Sequence, residues 1–295
     1  MRPRRALVVI NARSRRGSED VDPALEVLRA SGMEALALRL TNSAEVGTAI
    51  REHAALVDLV VVGGGDGTMN AAAEALLETG LPMGILPLGT ANDLARVLEI
   101  PQDSTEAARI IVEGRRRPID LGRANDKLFF NIATMGLSAR LARAMDRQTK
   151  RRFGAFAYAL TLARIGLGHP FEATIRTGQE TIRVTAIQIA VGNGRYHGGG
   201  VIVHEAAAID DQLLHLYALE PHSVWRLIGK LPWLLRGKHE TITGVISLAA
   251  PAMEVSTDRR LSVNTDGELT THTPVRFSIA PRALEVFAPA ASAVG

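Results

Sequence analysis

Val60–Asn70 reads Val-Val-Val-Gly-Gly-Gly-Asp-Gly-Thr-Met-Asn. An apolar run of β-formers, Leu59 to Val62, stops at Gly63-Gly64-Gly65, and an alanine-rich stretch begins at Ala71. That order predicts a buried strand, a tight glycine loop and a helix N-terminus. Consecutive glycines let backbone N–H groups crowd around a ligand with no Cβ in the way. The helix start adds unpaired N–H groups and the positive end of its dipole. Together these features make a phosphate site. Asp66 is the unusual member, because a carboxylate in a phosphate cradle repels its ligand unless a metal ion or a proton mediates. A metal-bound nucleotide is therefore the sharper reading, and a glycine turn that merely joins strand to helix is the plainer one. Two common phosphate loops do not fit. The dinucleotide fingerprint needs a third glycine where Thr68 stands, and Gly229-Lys230 is followed by Leu231 rather than the hydroxyl residue of a Walker A loop.

Working outward, Ala6–Ile10 is a short apolar strand that ends in the polar loop Asn11 to Gly17. Asp22-Pro23 predicts a helix start, with Gly32 as its stop. Glu34–Leu40 alternates as a second strand, and Thr41 to Ser43 offer caps for a helix through Ala55. The third strand, Val57–Val62, carries the glycine loop, and a helix is expected over Ala71–Thr79. A fourth strand, Met83–Leu88, runs into Gly89-Thr90-Ala91-Asn92-Asp93, with a helix beginning at Leu94. Such alternation argues for a parallel sheet with helices on both faces. Ligands of these sheets sit beyond the carboxyl ends of the strands. The loops at Asn11, Thr41, Gly63 and Gly89 are therefore expected to converge.

Past Ile119 the pattern changes to short alternating runs. Lys127–Ile132, Glu172–Arg176, Ile182–Val191, Leu213–Leu219, Ile242–Leu248, Met253–Ser256, Leu261–Asn264, Val275–Ile279 and Leu284–Phe287 all suit strands of an antiparallel β-sandwich or barrel. A helical stretch around Phe156–Ile165 interrupts them. The expected domains are 1–123 and 124–288, followed by a small-residue tail over 289–295. The last strand is a candidate to pack back on the first domain.

Composition narrows the function classes. With 295 residues and 46% apolar content the chain can build two ordinary cores. Cysteine is absent, which rules out disulfides, zinc-thiolate sites and a thiol nucleophile and fits a reducing cytoplasm. The net charge is +3, yet arginines cluster at Arg115-Arg116-Arg117 and with Lys150 at Arg151-Arg152. Such clusters are solvated faces or contacts to an anionic membrane surface. Aromatics at 4% disfavour the stacking platforms of nucleic-acid binders. In His222–Glu240, Trp225, Leu227, Ile228, Leu231 and Trp233 mix with Arg226, Lys230, Arg236 and Lys238. That mixture suits a peripheral membrane interface as well as a helical excursion packed on the sandwich.

Gly64-Gly65-Asp66-Gly67-Thr68 with Asn70, followed by Pro87-Leu88-Gly89-Thr90-Ala91-Asn92-Asp93, resembles the catalytic domain of diacylglycerol kinases and related lipid kinases. Asn131 with Gly136, Gly192-Asn193-Gly194 with Gly198-Gly199-Gly200, and Asp266-Gly267-Glu268 are similar to later motifs of that family. The likeness points to the bacterial YegS-like group, which phosphorylates lipids such as phosphatidylglycerol. It implies an NAD-kinase-like α/β domain that carries the nucleotide and a β-sandwich that carries the lipid, with the active site between them. It further implies that Asn11, Thr41, Gly64, Gly65, Asp66, Gly67, Thr68, Met69, Asn70 and Thr90 contact ATP, with Asp66 holding the nucleotide magnesium. Glu268, or Asp266 beside it, would take the proton of the lipid hydroxyl. Without the family, Asp266-Gly267 reads as a hairpin turn. Thr68 and Thr90 offer hydroxyls, and Asn92 a neutral donor. Relatives also bind a structural Mg²⁺ at positions matching the Asp211 carboxylate and the Ala208 and Leu213 carbonyls.

Three residues depart from the family pattern. Ala71 stands in place of Glu, with Glu74 one turn on, Ala12 stands in place of Pro, and Gln212 stands in place of Gly. Two other functions stay open beside the lipid kinase: a nucleotide-binding regulatory or scaffold protein without catalysis, and a kinase of a soluble acceptor such as NAD.

Overall fold

The computed structural model describes residues 4–14, 21–137, 169–194, 196–197, 201–202, 207–221 and 245–289. They fall into two compact units, one made of residues 1–120 with 281–295 and the other of residues 121–280.

The first unit is α/β. Its elements run β1 (Arg5–Asn11), α1 (Asp22–Ala30), β2 (Glu34–Leu40), α2 (Glu45–His53), β3 (Leu59–Gly64), α3 (Asp66–Thr79), β4 (Met83–Pro87), α4 (Asp93–Val97), α5 (Ser104–Glu113) and the start of β5 (Arg116–Ala124). The strand order is β2-β1-β3-β4, and every pairing is parallel. Each residue of β3 and β4 is buried, as are Ala6 to Ile10 of β1. Strands hidden on both faces are what βαβ crossovers produce, and they explain the unbroken Val/Leu/Ile runs. Helix α1 packs on α5 and α2 on α3. At Gly84 an added Cβ would lie 2.6 Å from Cδ1 of Ile111, so glycine lets α5 approach β4 closely.

Helix α3 begins at Asp66, five residues before the alanine run, so the Asp-Gly-Thr of the glycine loop forms its first turn. Helix α5 has no counterpart in the periodicity reading. Its signals are local ones: Asp103 caps the helix by accepting the Glu106 N–H at 2.9 Å, and Gly114 ends it at φ +76°. Asp103→Ala should cost about 1 kcal/mol, read as a lower urea midpoint with an unchanged slope.

The second unit is an antiparallel sandwich. It holds the end of β5, then β6 (Lys127–Phe129), β7 (Ile132–Gly136), β8 (Phe171–Thr177), β9 (Thr181–Ala186), β10 (Gln188–Gly192), a short pair β11 (Tyr196–His197) and β12 (Val201–Ile202), and β13 (Leu214–Leu219). After these come β14 (Val245–Ala250), β15 (Ala252–Thr257), β16 (Ser262–Thr265), β17 (Glu268–His272) and β18 (Val275–Phe287). One sheet runs β18-β15-β8-β9 and the other β14-β13-β10-β7-β16-β17. Phe171, Ile175, Val255 and Phe277 of the first pack with Ala133, Met135, Ile189, Leu216 and Val263 of the second in one core. Phe129 and Phe277 meet edge to face there, their centroids 6.5 Å apart.

Several expected strands come out differently. Ile182–Val191 is two strands, parted at Ile187, whose N–H donates to the Leu219 carbonyl. Val275–Ile279 and Leu284–Phe287 are one strand of 13 residues, continuous through Pro281 and through Arg282 at φ +48°. This strand serves both units. Its first residues pair with β15, and Val286 pairs in parallel with Met83 of β4. The expected helix at Phe156–Ile165 and the Trp-rich stretch His222–Glu240 lie outside the described residues.

Candidate functional site

Parallel register sets the four strand ends of the first unit side by side. Asn11 pairs with Leu40, Ile10 with Gly63, and Gly64 with Pro87. The Ala12 N–H donates to the Leu40 carbonyl at 2.8 Å, and the Leu88 N–H to the Gly64 carbonyl at 2.9 Å. The loops at Asn11, Thr41, Gly63 and Gly89 therefore share one edge of the sheet, as the strand-end rule requires.

Side chains then lock these loops to one another. Asn11 Nδ2 donates to Thr68 Oγ1 at 3.0 Å, and Thr68 is buried. Asp66 Oδ1 accepts the Leu94 N–H at 3.1 Å, which ties the glycine loop to the first turn of α4. Asp66 is half-buried and makes no other hydrogen bond or ion pair among the described residues, so Oδ2 keeps its lone pairs. It lies in the first turn of α3, where a helix dipole favours negative charge. No side chain caps α3. Thr41, Gly67 and Thr90 are exposed around this edge, and Gly65 and Asn70 are half-buried.

The glycines act here by close approach rather than by unusual backbone angles. None of Gly63, Gly64 and Gly65 has a positive φ. A Cβ on Gly64 would fall 2.4 Å from Thr68 Oγ1, and one on Gly89 would fall 2.4 Å from the Gly65 Cα and 2.6 Å from Asn92 Oδ1. Gly89→Ala should drive the two loops apart, with a stability loss of about 2 kcal/mol. Thermal melting checks this, with Gly178→Ala, which meets open space, as the control.

Two residues take other places than their motifs suggested. Asn92 faces inward rather than toward a ligand. Its Oδ1 accepts the Gly89 N–H at 2.8 Å, and its Nδ2 donates to Gln102 Oε1 at 2.8 Å and toward the Pro87 and Gly89 carbonyls at 3.3 Å. At φ +50° it uses the left-handed conformation that asparagine tolerates. Met69 has its side chain in the core and its N–H on the Gly65 carbonyl. Glu74 is exposed, on the helix that also carries Glu78, the partner of Arg51.

In the second unit Asp266 and Gly267, at φ +47° and +97°, form the two-residue turn between β16 and β17, with Thr265 paired to Glu268. Positive φ at both central residues is the hairpin geometry that Asp-Gly favours. The hairpin reading and the family motif thus describe one object. The Asp266 carboxylate holds the start of β7. Oδ2 accepts the Phe130 N–H at 2.7 Å, and Oδ1 accepts the Asn131 and Ile132 N–H groups at 3.0 and 2.9 Å. Glu268 opens β17 exposed, with no hydrogen bond or ion pair among the described residues. Asn193 Nδ2 donates to the Phe130 carbonyl at 2.9 Å, so that motif residue braces the same segment.

Asp211 is engaged by protein groups. Oδ2 accepts the Ala208 N–H at 3.0 Å and meets His215 Nε2 at 2.8 Å, and Oδ1 accepts the Leu213 N–H at 2.9 Å. Burial pushes this carboxyl's pKa up, but the hydrogen bonds from His215, Ala208 and Leu213 outweigh it and hold the value below the ordinary one. The turn takes its form with Gln212 at φ +61°. Among the described residues no three His, Asp or Glu side chains cluster as a metal site. Nor is any described helix long and apolar enough to cross a membrane.

Comparison with known proteins agrees with this architecture. Residues 5–124 match the family model for the diacylglycerol kinase catalytic domain, and residues 131–288 match that for the YegS C-terminal NAD kinase beta sandwich-like domain. A Pseudomonas aeruginosa protein named "Probable lipid kinase YegS-like" is 36% identical, over 94% of this chain and 92% of its own. One of the same name from Klebsiella pneumoniae is 35% identical, over 79% and 78%. A crystal structure titled as a diacylglycerol kinase from Bacillus anthracis superposes with a TM-score of 0.81, covering 99% of both chains at 24% identity, and speaks for the fold alone.

Proposed function

Since the chain belongs to the diacylglycerol kinase catalytic-domain family and carries the YegS-type sandwich, we propose that it is an ATP-dependent lipid kinase acting on a phosphatidylglycerol- or diacylglycerol-like alcohol. The observation that carries this reading is the strand edge of the first unit. There the uncapped start of α3, the Gly64–Thr68 loop and a half-free Asp66 carboxylate lie together.

Phosphoryl transfer asks the protein for positioning and charge neutralisation rather than a covalent nucleophile. Backbone N–H groups at the start of α3 would hold phosphate oxygens, and Thr41, Asn70 and Thr90 would contact the nucleotide around them. A magnesium ion suits Asp66 Oδ2, a hard oxygen ligand, and when bound it would neutralise phosphate charge. In the transfer the lipid oxygen bonds to the γ-phosphorus as the bond to the ADP oxygen breaks, and the hydroxyl proton needs an acceptor. Glu268 fits that role better than Asp266. Three of the roughly four lone-pair sites on the Asp266 carboxylate already hold backbone amides, whereas Glu268 has no side-chain partner among the described residues. Asp266 shapes the turn that presents Glu268.

We also infer a cytoplasmic protein that attaches reversibly to anionic membranes through its basic and Trp-containing segments. Salt should release it from anionic vesicles, and equal sedimentation with neutral and anionic vesicles would argue against attachment. The central assay is γ-labelled ATP with vesicles of mixed lipids. Label in a lipid supports the kinase. Tight ATP binding with no labelled lipid favours a regulatory protein, and label on NAD favours a soluble acceptor.

A further inference from the structure

The loop from Ala208 to His215 is where the family resemblance and the structure disagree. A magnesium ion bound there would need open lone pairs on Asp211 and carbonyls turned toward the ion. Three of the roughly four lone-pair sites on Asp211 are already taken by the protein. Two N–H donors and the His215 ring occupy the carboxylate, all within 3.0 Å. The Ala208 carbonyl is turned to the Asp211 N–H, at 3.5 Å. These donors turn their positive ends to the carboxylate that an ion would have to share, and magnesium tolerates poor geometry badly. Among the described residues no three acidic or histidine side chains cluster here to add further ligands.

His215 is placed firmly. It is the second residue of β13, paired with Gly192 on one side and Ala249 on the other, and its side chain is 9% exposed. The ring reaches back to the loop that precedes its own strand. A carboxylate only accepts, so Nε2 carries the proton and donates. Asp211, 21% exposed at its side chain, is thus balanced on the strand side by the imidazole and on the loop side by two amides.

We propose that His215 stands in for the divalent cation in this loop, so that the sandwich closes its 208–215 turn without metal. The inference concerns the fold of the second unit. It does not depend on the kinase reading, because its test uses no nucleotide and no lipid.

The test is the thermal midpoint of the full chain, measured in chelator and in millimolar Mg²⁺ at matched ionic strength. Asp66→Asn serves as a shared background to remove the other candidate ion ligand. With His215 present the two midpoints should agree within about 1 °C. His215→Asp sets a second carboxylate against Asp211. It should lower the midpoint in chelator by about 5 °C, and Mg²⁺ should restore most of that loss. A chain with His215 intact that drops by several degrees in chelator and recovers on Mg²⁺ overturns the proposal. So does a His215→Asp protein whose midpoint ignores Mg²⁺.

Discussion

Asp66→Asn is expected to cut the rate of lipid labelling by about 10³-fold while the protein stays folded. The two carboxylate oxygens have separable tasks. Oδ1 accepts the Leu94 N–H and so joins the glycine loop to α4, a task that an amide oxygen performs equally well. Oδ2 and the negative charge have no such partner among the described residues. Under the kinase reading they hold the ion that travels with ATP. Asparagine keeps the first task and removes the second. Its thermal midpoint should match wild type within about 2 °C, for a surface-type stability change of at most 0.5 kcal/mol or so. Alanine loses both, and should add a destabilisation of about 1 kcal/mol from the unmet amide. If Asp66→Asn turned lipid over at the wild-type rate, Asp66 would be a helix cap and nothing more.

Glu268→Gln carries the second large effect, a fall in kcat of about 10²- to 10⁴-fold with little change in the KM for ATP. The substitution is nearly isosteric, removes the proposed base, and touches an exposed side chain that nothing in the described residues holds. Stability should therefore not move measurably. Asp266→Asn should behave in the opposite way. Whichever way the new amide turns, its NH₂ faces at least one of the N–H groups of Phe130, Asn131 and Ile132. Each donor left unmet costs about 1–3 kcal/mol, so this variant should lose its fold before it shows a specific loss of kcat. A Glu268→Gln enzyme with unchanged kcat on the labelled lipid would reassign proton transfer to another group.

Much of the first unit was legible because its signals are local. The Leu59–Val62 run, the glycines and the alanines follow one another in sequence, and the rule for parallel sheets then places Asn11, Thr41, Gly63 and Gly89 along one edge. What escaped reading is pairwise. Asp66 reaches an amide 28 residues away, and Asp266 reaches amides 134 to 136 residues away. Backbone donors carry no side-chain signature, so no residue type announces these bonds. Asn92 misled for a related reason: an amide side chain in a polar loop looks available, and only the fold shows it turned onto Gly89 and Gln102. Helix α5 was legible in principle from Asp103, Glu106 and Gly114. The long β18 was not, since Pro281 ordinarily argues for a break.

That strand also constrains anyone who wishes to take the protein apart. Leu284, Val286, Phe287 and Ala288 are buried at 3% or less. Arg282 donates its N–H to Asp120, and Arg116 both pairs with Glu285 at 3.1 Å and lies 5.5 Å from the Phe287 ring centroid. A fragment ending near residue 120 is therefore not a complete first unit, because it lacks a piece of its own sheet that follows the whole sandwich in sequence. A workable excision would graft 281–288 behind residue 120 through a short flexible linker. During synthesis, too, the first unit must wait until residues 281–288 have been made before its sheet is complete.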